Sequence, residues 1–196
     1  MVQLFVMRHA PTTYNREKKF MGSTIDASID KKSVNHLMDL RKKIQDEYSV
    51  DLCLVSPLKR AKETAELLFN CPIFENPLLI ERSIGDWAGW SVEEVKKCSH
   101  ESIDENGHYR YMLTPPNGES FESVVSRVLQ FLEEVVSNYQ AKNIVIVTHG
   151  GIAQLIDKVI NFDPLDSVLS NTKEHMRIRQ YMIGEELLDK IKTYYK

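Results

Sequence analysis

Two histidines and two arginines in this chain stand where short apolar runs give way to polar residues. Arg8 and His9 follow the run Leu4 to Met7 in LFVMRHA. His149 follows Asn143 to Thr148, NIVIVT, and leads into Gly150 and Gly151. Arg60 lies in SPLKRAKETAELLF, residues 56–69, directly after the run Asp51 to Val55, DLCLV. An imidazole that is neutral near physiological pH is a competent nucleophile. Planar guanidinium forks match the oxygens of a dianion such as phosphate, so Arg8 and Arg60 form a candidate clamp. Taken singly, each histidine also suits a hydrogen-bonded structural role, and Arg60 a solvated helix face. The question is whether the fold brings the four together.

The elements that would do so can be read from the pattern. The three apolar runs, rich in Val, Ile and Leu, predict strands buried on both faces. Val34, Leu37, Leu40, Ile44 and Tyr48 recur at helical spacing and predict an amphipathic helix over residues 30–48. Phe121, Val124, Val128, Leu132 and Val135 repeat that spacing more strongly. Ser56 is a favourable N-cap and Pro57 suits a first helical position, so a helix is expected to start just after DLCLV. Leu58, Ala61, Ala65 and Leu68 would then face the sheet. Strands alternating with helices predict a three-layer α/β/α sandwich with a mostly parallel central sheet. Ligands of such sheets bind beyond the carboxyl ends of the strands, which is where His9, Ser56 to Arg60 and His149 fall.

Composition narrows the classes. The 196 residues are long enough to bury the core of one domain, and 42% hydrophobic with 27% charged residues suits a folded, soluble chain. A net charge of -3 argues against a broad nucleic-acid surface. The opening MVQLFVM lacks the basic start and longer apolar core of a signal peptide, and no apolar run approaches the roughly 20 residues that span a bilayer. Cys53, Cys71 and Cys98 form no CxxC pair and are odd in number, so neither a zinc site nor a disulfide framework is expected. A reducing cytoplasm follows as the expected compartment. One domain over residues 1–196 is expected, with the irregular stretch SHESIDENGHYRYMLTPPNGES, residues 99–120, as a surface loop or lid.

The residues between these landmarks carry a resemblance. RHAPTTYN, residues 8–15, resembles the RHG-type motif of the histidine phosphatase superfamily, whose members include phosphoglycerate mutases and sugar phosphatases. SPLKRAKETA resembles its second motif, and ERSIGDWAGWS, residues 81–91, its segment with a glutamate before Gly-x-Trp-x-Gly. PPNGESFESVVSRV is similar to its Pro-Gly-Glu-Ser entrance to a long helix, and VTHGG to its second-histidine motif. The order of the motifs is also the family's. Beyond residue 151 only Ser170, Asn171 and Thr172 carry a trace.

The resemblance implies a phosphoglycerate mutase-like fold and a role for each matching residue. His9 would be the nucleophile that becomes a phosphohistidine, and Arg8, Arg60, His149, Asn15 and Gly150 would surround the phosphate. Gly22 and Ser23, in a stretch similar to the family's Gly-x-x-Asp loop, would line the same pocket. Glu81 would protonate the leaving oxygen and then activate water. No metal or cofactor is implied, and the partner is a small phosphorylated metabolite. GDWAG and the short span from Gly89 to Glu119 favour hydrolysis of a small phosphate monoester, such as a sugar phosphate. Phosphoglycerate mutase-type transfer is the alternative, and a catalytically idle binder of phosphorylated ligands is a second. Ala10 and Pro11 depart from the glycine and the Glu or Gln of many relatives. His36, His100, His108 and His175 read as ordinary polar residues, and Trp87 and Trp90 as packing residues. Tyr181, Met182, Tyr194 and Tyr195 suit either a homodimer face or a packed terminal element of a monomer.

Overall fold

The chain alternates strands and helices from its first residues. In the computed structural model, which describes residues 1–167 and 175–195, β1 (Val2–Arg8) is followed by a short α1 (Thr13–Arg16) and by α2 (Lys31–Glu47). β2 (Leu52–Val55) is followed by α3 (Lys59–Leu68), and β3 (Ile73–Glu75) leads through two 3₁₀ turns to α4 (Val92–Cys98). Then come α5 (Phe121–Asn138), β4 (Asn143–Thr148), α6 (Gly150–Asn161), β5 (Arg179–Ile183) and α7 (Glu185–Tyr194). The sheet order is β3-β2-β4-β1-β5, parallel throughout except for β5, which runs antiparallel to β1 at the edge.

The continuous apolar runs are explained by the two layers that cover them. Leu4 and Val6 of β1 and Ile144 and Ile146 of β4 pack with residues of α5, α6 and α7. The alternate residues Phe5, Met7, Val145 and Val147 pack with Leu37 and Ile44 of α2 and with Ala61, Ala65 and Leu68 of α3. Successive side chains of a strand point to opposite faces, so a strand sandwiched between helices needs apolar residues at both parities. The three-layer expectation therefore holds, and β1 and β4 lie side by side near its middle.

Local boundaries differ where a distant partner intervenes. Ser56 does not cap α3: the helix begins at Lys59, with Leu58 as its N-cap residue. The Lys59 amide donates instead to Asp26 Oδ1 at 2.7 Å. Asp51 falls just outside β2, and it exchanges hydrogen bonds with Asn143: its Oδ2 accepts the Asn143 amide at 2.7 Å and its amide donates to the Asn143 carbonyl at 2.8 Å. Residues 99–120 are only partly a surface loop. Ile103, Tyr109 and Tyr111 are buried in the same core as α5 and α6. The fully buried Arg82 donates to the carbonyls of Tyr111, Leu113 and Glu119 and pins the second half of the segment.

At the carboxyl end, the Tyr181 hydroxyl donates to Asp157 of α6, and Tyr195 reaches the carbonyls of Lys158 and Asp163. Met182 and Tyr194 remain exposed. Among the described residues no helix is long and apolar enough to cross a membrane.

Candidate active site

Parallel pairing of β1 with β4 sets Arg8 opposite Thr148, so the residues that follow, His9 and His149, leave the sheet side by side. Their ring centroids are 5.2 Å apart with planes inclined at 60°. The His9 amide donates to the Thr148 carbonyl at 2.8 Å, extending the ladder one residue past the strands. Ser56 leaves the neighbouring β2, and its Oγ lies 2.7 Å from His149 Nε2. Arg60, in the first turn of α3, donates to Gly22 O at 2.8 Å and Ile25 O at 2.9 Å. The loop over residues 20–30 is thereby tied to the helix.

A carbonyl oxygen only accepts hydrogen bonds, and this fixes the tautomer of His9. Its Nδ1 lies 2.6 Å from the carbonyl oxygen of Ala10, so Nδ1 carries the proton and Nε2 keeps a free lone pair. Ala10 is itself held, since its amide donates to Thr64 Oγ1 at 2.9 Å. Its methyl is fully buried among residues of β1 and α3, which explains how the site accommodates this departure from glycine.

The charges are arranged to receive an anion. Burial lowers the pKa of Arg8 to about 10, partly offset by the charge of Glu81. Arg60 is lowered to about 10 for the same reasons, and both guanidiniums remain cations at neutral pH. Burial, and then the charge of Arg60, push His9 and His149 well below the usual imidazole range. Two neutral rings beside two buried cations leave positive charge that a dianionic ligand neutralises.

Arg8, His9, Asn15, Gly22, Arg60 and Glu81 line one cavity of ≈ 50 Å³, together with Tyr111, Gly150 and Gly151. Asn15 closes a capping box at α1: its Oδ1 accepts the Thr12 amide at 3.0 Å, leaving the amide nitrogen to donate elsewhere. Gly150 packs tightly on the Arg8 guanidinium, whose carbon would lie 3.2 Å from a Cβ placed there. Glu81 follows a 3₁₀ turn whose last residue, Leu79, accepts from Thr148 Oγ1 at 2.7 Å. Ser23 is half-buried and does not line the cavity. His149 is fully buried beside it, and its Nδ1 has no hydrogen-bond partner among the described residues.

The fold also brings in residues that no motif announced. Tyr111 donates to Glu81 Oε1 at 3.0 Å. His175, read from the sequence as an ordinary polar residue, donates from Nδ1 to the His9 carbonyl at 2.8 Å, with ring centroids 5.6 Å apart. Its pKa is lowered to about 4, chiefly by burial and then by Arg8. His36 and His100 are exposed, and His108 pairs with Asp104 on the wall of a cleft that Arg8, Asn15 and His175 also line. Ser170, Asn171 and Thr172 lie outside the described residues.

The sequence model of the histidine phosphatase superfamily (branch 1) matches residues 4–167. The chain belongs to this superfamily. PhoE of Bacillus subtilis, described as an uncharacterized phosphatase, is 30% identical over 98% of this chain and 100% of its own length. Phosphoserine phosphatase 1 of Hydrogenobacter thermophilus is 31% identical over 76% of this chain and 71% of its own. The solved structure of Bacillus stearothermophilus YhfR superposes with a TM-score of 0.76 at 26% identity, covering 89% of this chain and 87% of that one. In this member of the superfamily the motif segments around His9, Arg60, Glu81 and His149 converge at the carboxyl ends of the inner strands.

Proposed function

We propose that the chain is a phosphatase that hydrolyses a small phosphate monoester through a phosphohistidine at His9, without a metal. The observation that carries this reading is the His9 Nδ1 to Ala10 carbonyl hydrogen bond, which leaves Nε2 unprotonated beside two buried arginines. Nε2 attacks phosphorus as the ester P–O bond breaks, and Glu81 gives its proton to the departing oxygen. Water then attacks the phosphohistidine while Glu81 takes up its proton; the P–N bond breaks and phosphate leaves a neutral His9. Arg8, Arg60, Asn15 and His149 bear on the phosphoryl oxygens, where such transfers develop charge. Arg60 Nε and His149 Nδ1, both buried and without partners among the described residues, are atoms that a bound phosphate would satisfy.

An adjoining cleft of ≈ 660 Å³ shares Arg8 and Asn15 and is lined by Lys18, Lys96, Glu93 and His175. Its mixed charges suit the organic part of a polar metabolite. The relatives named as phosphatases support hydrolysis over mutase transfer. All three cysteines are free thiols, which supports a reducing cytoplasm as the compartment. The test is turnover of p-nitrophenyl phosphate by the purified protein, with phosphoserine, sugar phosphates and phosphoglycerates ranked by kcat/KM. His9→Ala should lower turnover by at least about 10³-fold. No turnover above that control would overturn the reading.

A further inference from the structure

Glu81 is held by neither a strand nor a helix, so something else must aim its carboxyl group. Two donors meet its Oε1: the Arg82 amide at 3.0 Å and the Tyr111 hydroxyl at 3.0 Å. Tyr111 has little freedom to leave. It is 2% exposed, and the guanidinium carbon of Arg82 stands 5.0 Å from its ring centroid. The same guanidinium takes the Tyr111 carbonyl as an acceptor. The rings of Tyr109 and Phe121 meet it edge-on, with centroids at 6.2 and 6.3 Å. Its hydroxyl end rests on Gly151, where a Cβ would fall 2.4 Å from Cε2, Cζ and the hydroxyl oxygen. Burial, and then the charge of Glu81, push the phenol pKa well up, so the hydroxyl stays a donor.

We propose that Tyr111 is the positioning residue of the general acid: with two donors on Oε1, the transferable proton of Glu81 is confined to Oε2. A carboxyl oxygen has two lone-pair sites, and a proton on Oε1 would face two N–H and O–H donors already occupying them. This inference rests on Glu81 being the acid of the proposed reaction. During phosphoryl transfer the Oε2–H bond breaks as the leaving oxygen gains its proton, and the new carboxylate charge is met by the O–H of Tyr111. In the hydrolytic half Oε2 takes the proton of water. Tyr111 keeps its own proton throughout.

The readout is sensitivity to the leaving group, because an acid matters most where the departing oxygen is basic. Tyr111→Phe keeps the ring under Arg82 and removes only the hydroxyl. Across phenyl, chlorophenyl and nitrophenyl phosphates, its kcat/KM for phenyl phosphate should fall relative to nitrophenyl phosphate by about tenfold. Glu81→Gln should give the same tilt, larger. Gly151→Ala, which displaces the ring but keeps the hydroxyl, supplies a second variant with the same expected tilt. Thermal unfolding of each variant establishes that it is folded. A uniform fall across the series for Tyr111→Phe, or no change, beside a tilted Glu81→Gln would overturn the proposal. A Glu81→Gln response without tilt would overturn the general-acid reading itself and this proposal with it.

Discussion

Ser56 Oγ stands 2.7 Å from Nε2 of His149, and both residues are fully buried. The second imidazole is thus oriented before any ligand arrives. Ser56→Ala leaves a buried ring nitrogen without its partner, at a cost of about 1–3 kcal/mol. The thermal unfolding midpoint should fall by several degrees, at about 2–4 °C per kcal/mol for a chain of this size. Affinity for inorganic phosphate should weaken with it. An unchanged midpoint and affinity would show that the contact does not orient His149.

Arg60 holds the carbonyls of Gly22 and Ile25 with Nη2 and Nη1, 2.8 and 2.9 Å away. A lysine ammonium is a point charge and cannot span both carbonyls while facing a phosphate. Arg60→Lys should weaken inorganic phosphate binding by about 10- to 100-fold, equivalent to ~1.4–2.7 kcal/mol. Calorimetric titration measures this directly.

Lowered imidazole pKa values give two linked expectations of pH dependence. Protonation at Nε2 would disable His9, and its folded-state pKa lies well below the ordinary 6.5. The kcat/KM, corrected for ionisation of the substrate, should therefore stay level as pH falls from 8 through 6.5. Stability runs the other way. The unfolded chain takes up protons on His9, His149 and His175 near the ordinary imidazole value of 6.5, whereas folded His175 resists until about 4. Their neutral burial is tolerated above 6.5, and stability falls as pH drops from there toward 4. An acid limb in kcat/KM centred at 6.5 would contradict the lowered pKa of His9.

What the sequence revealed, and what it hid, divides by the range of the contacts involved. Arg8, His9, Arg60 and His149 were legible because apolar runs announce buried parallel strands, and strand ends determine where the next side chains gather. Ser56 was misread because capping preferences are local, while its partner His149 is 93 residues away and the amide at Lys59 is taken by Asp26, 33 residues away. Tyr111 sits in irregular backbone with no period to read, and its place is set by the carbonyl contacts of Arg82. The strand β5 was missed for a related reason. RQYMI at an antiparallel edge alternates half-buried and exposed residues up to Ile183 and lacks the continuous apolar run of the central strands.

The central claim is that Nε2 of His9 carries the phosphoryl group. Rapid alkaline quenching during turnover of a labelled phosphate ester, followed by mass spectrometry of the peptide that contains residue 9, tests it most directly. The account predicts a phosphoryl label on His9 that survives alkali, is lost in acid and is absent from His9→Ala. A label on a serine, one that withstands acid, or one that persists in His9→Ala would contradict it.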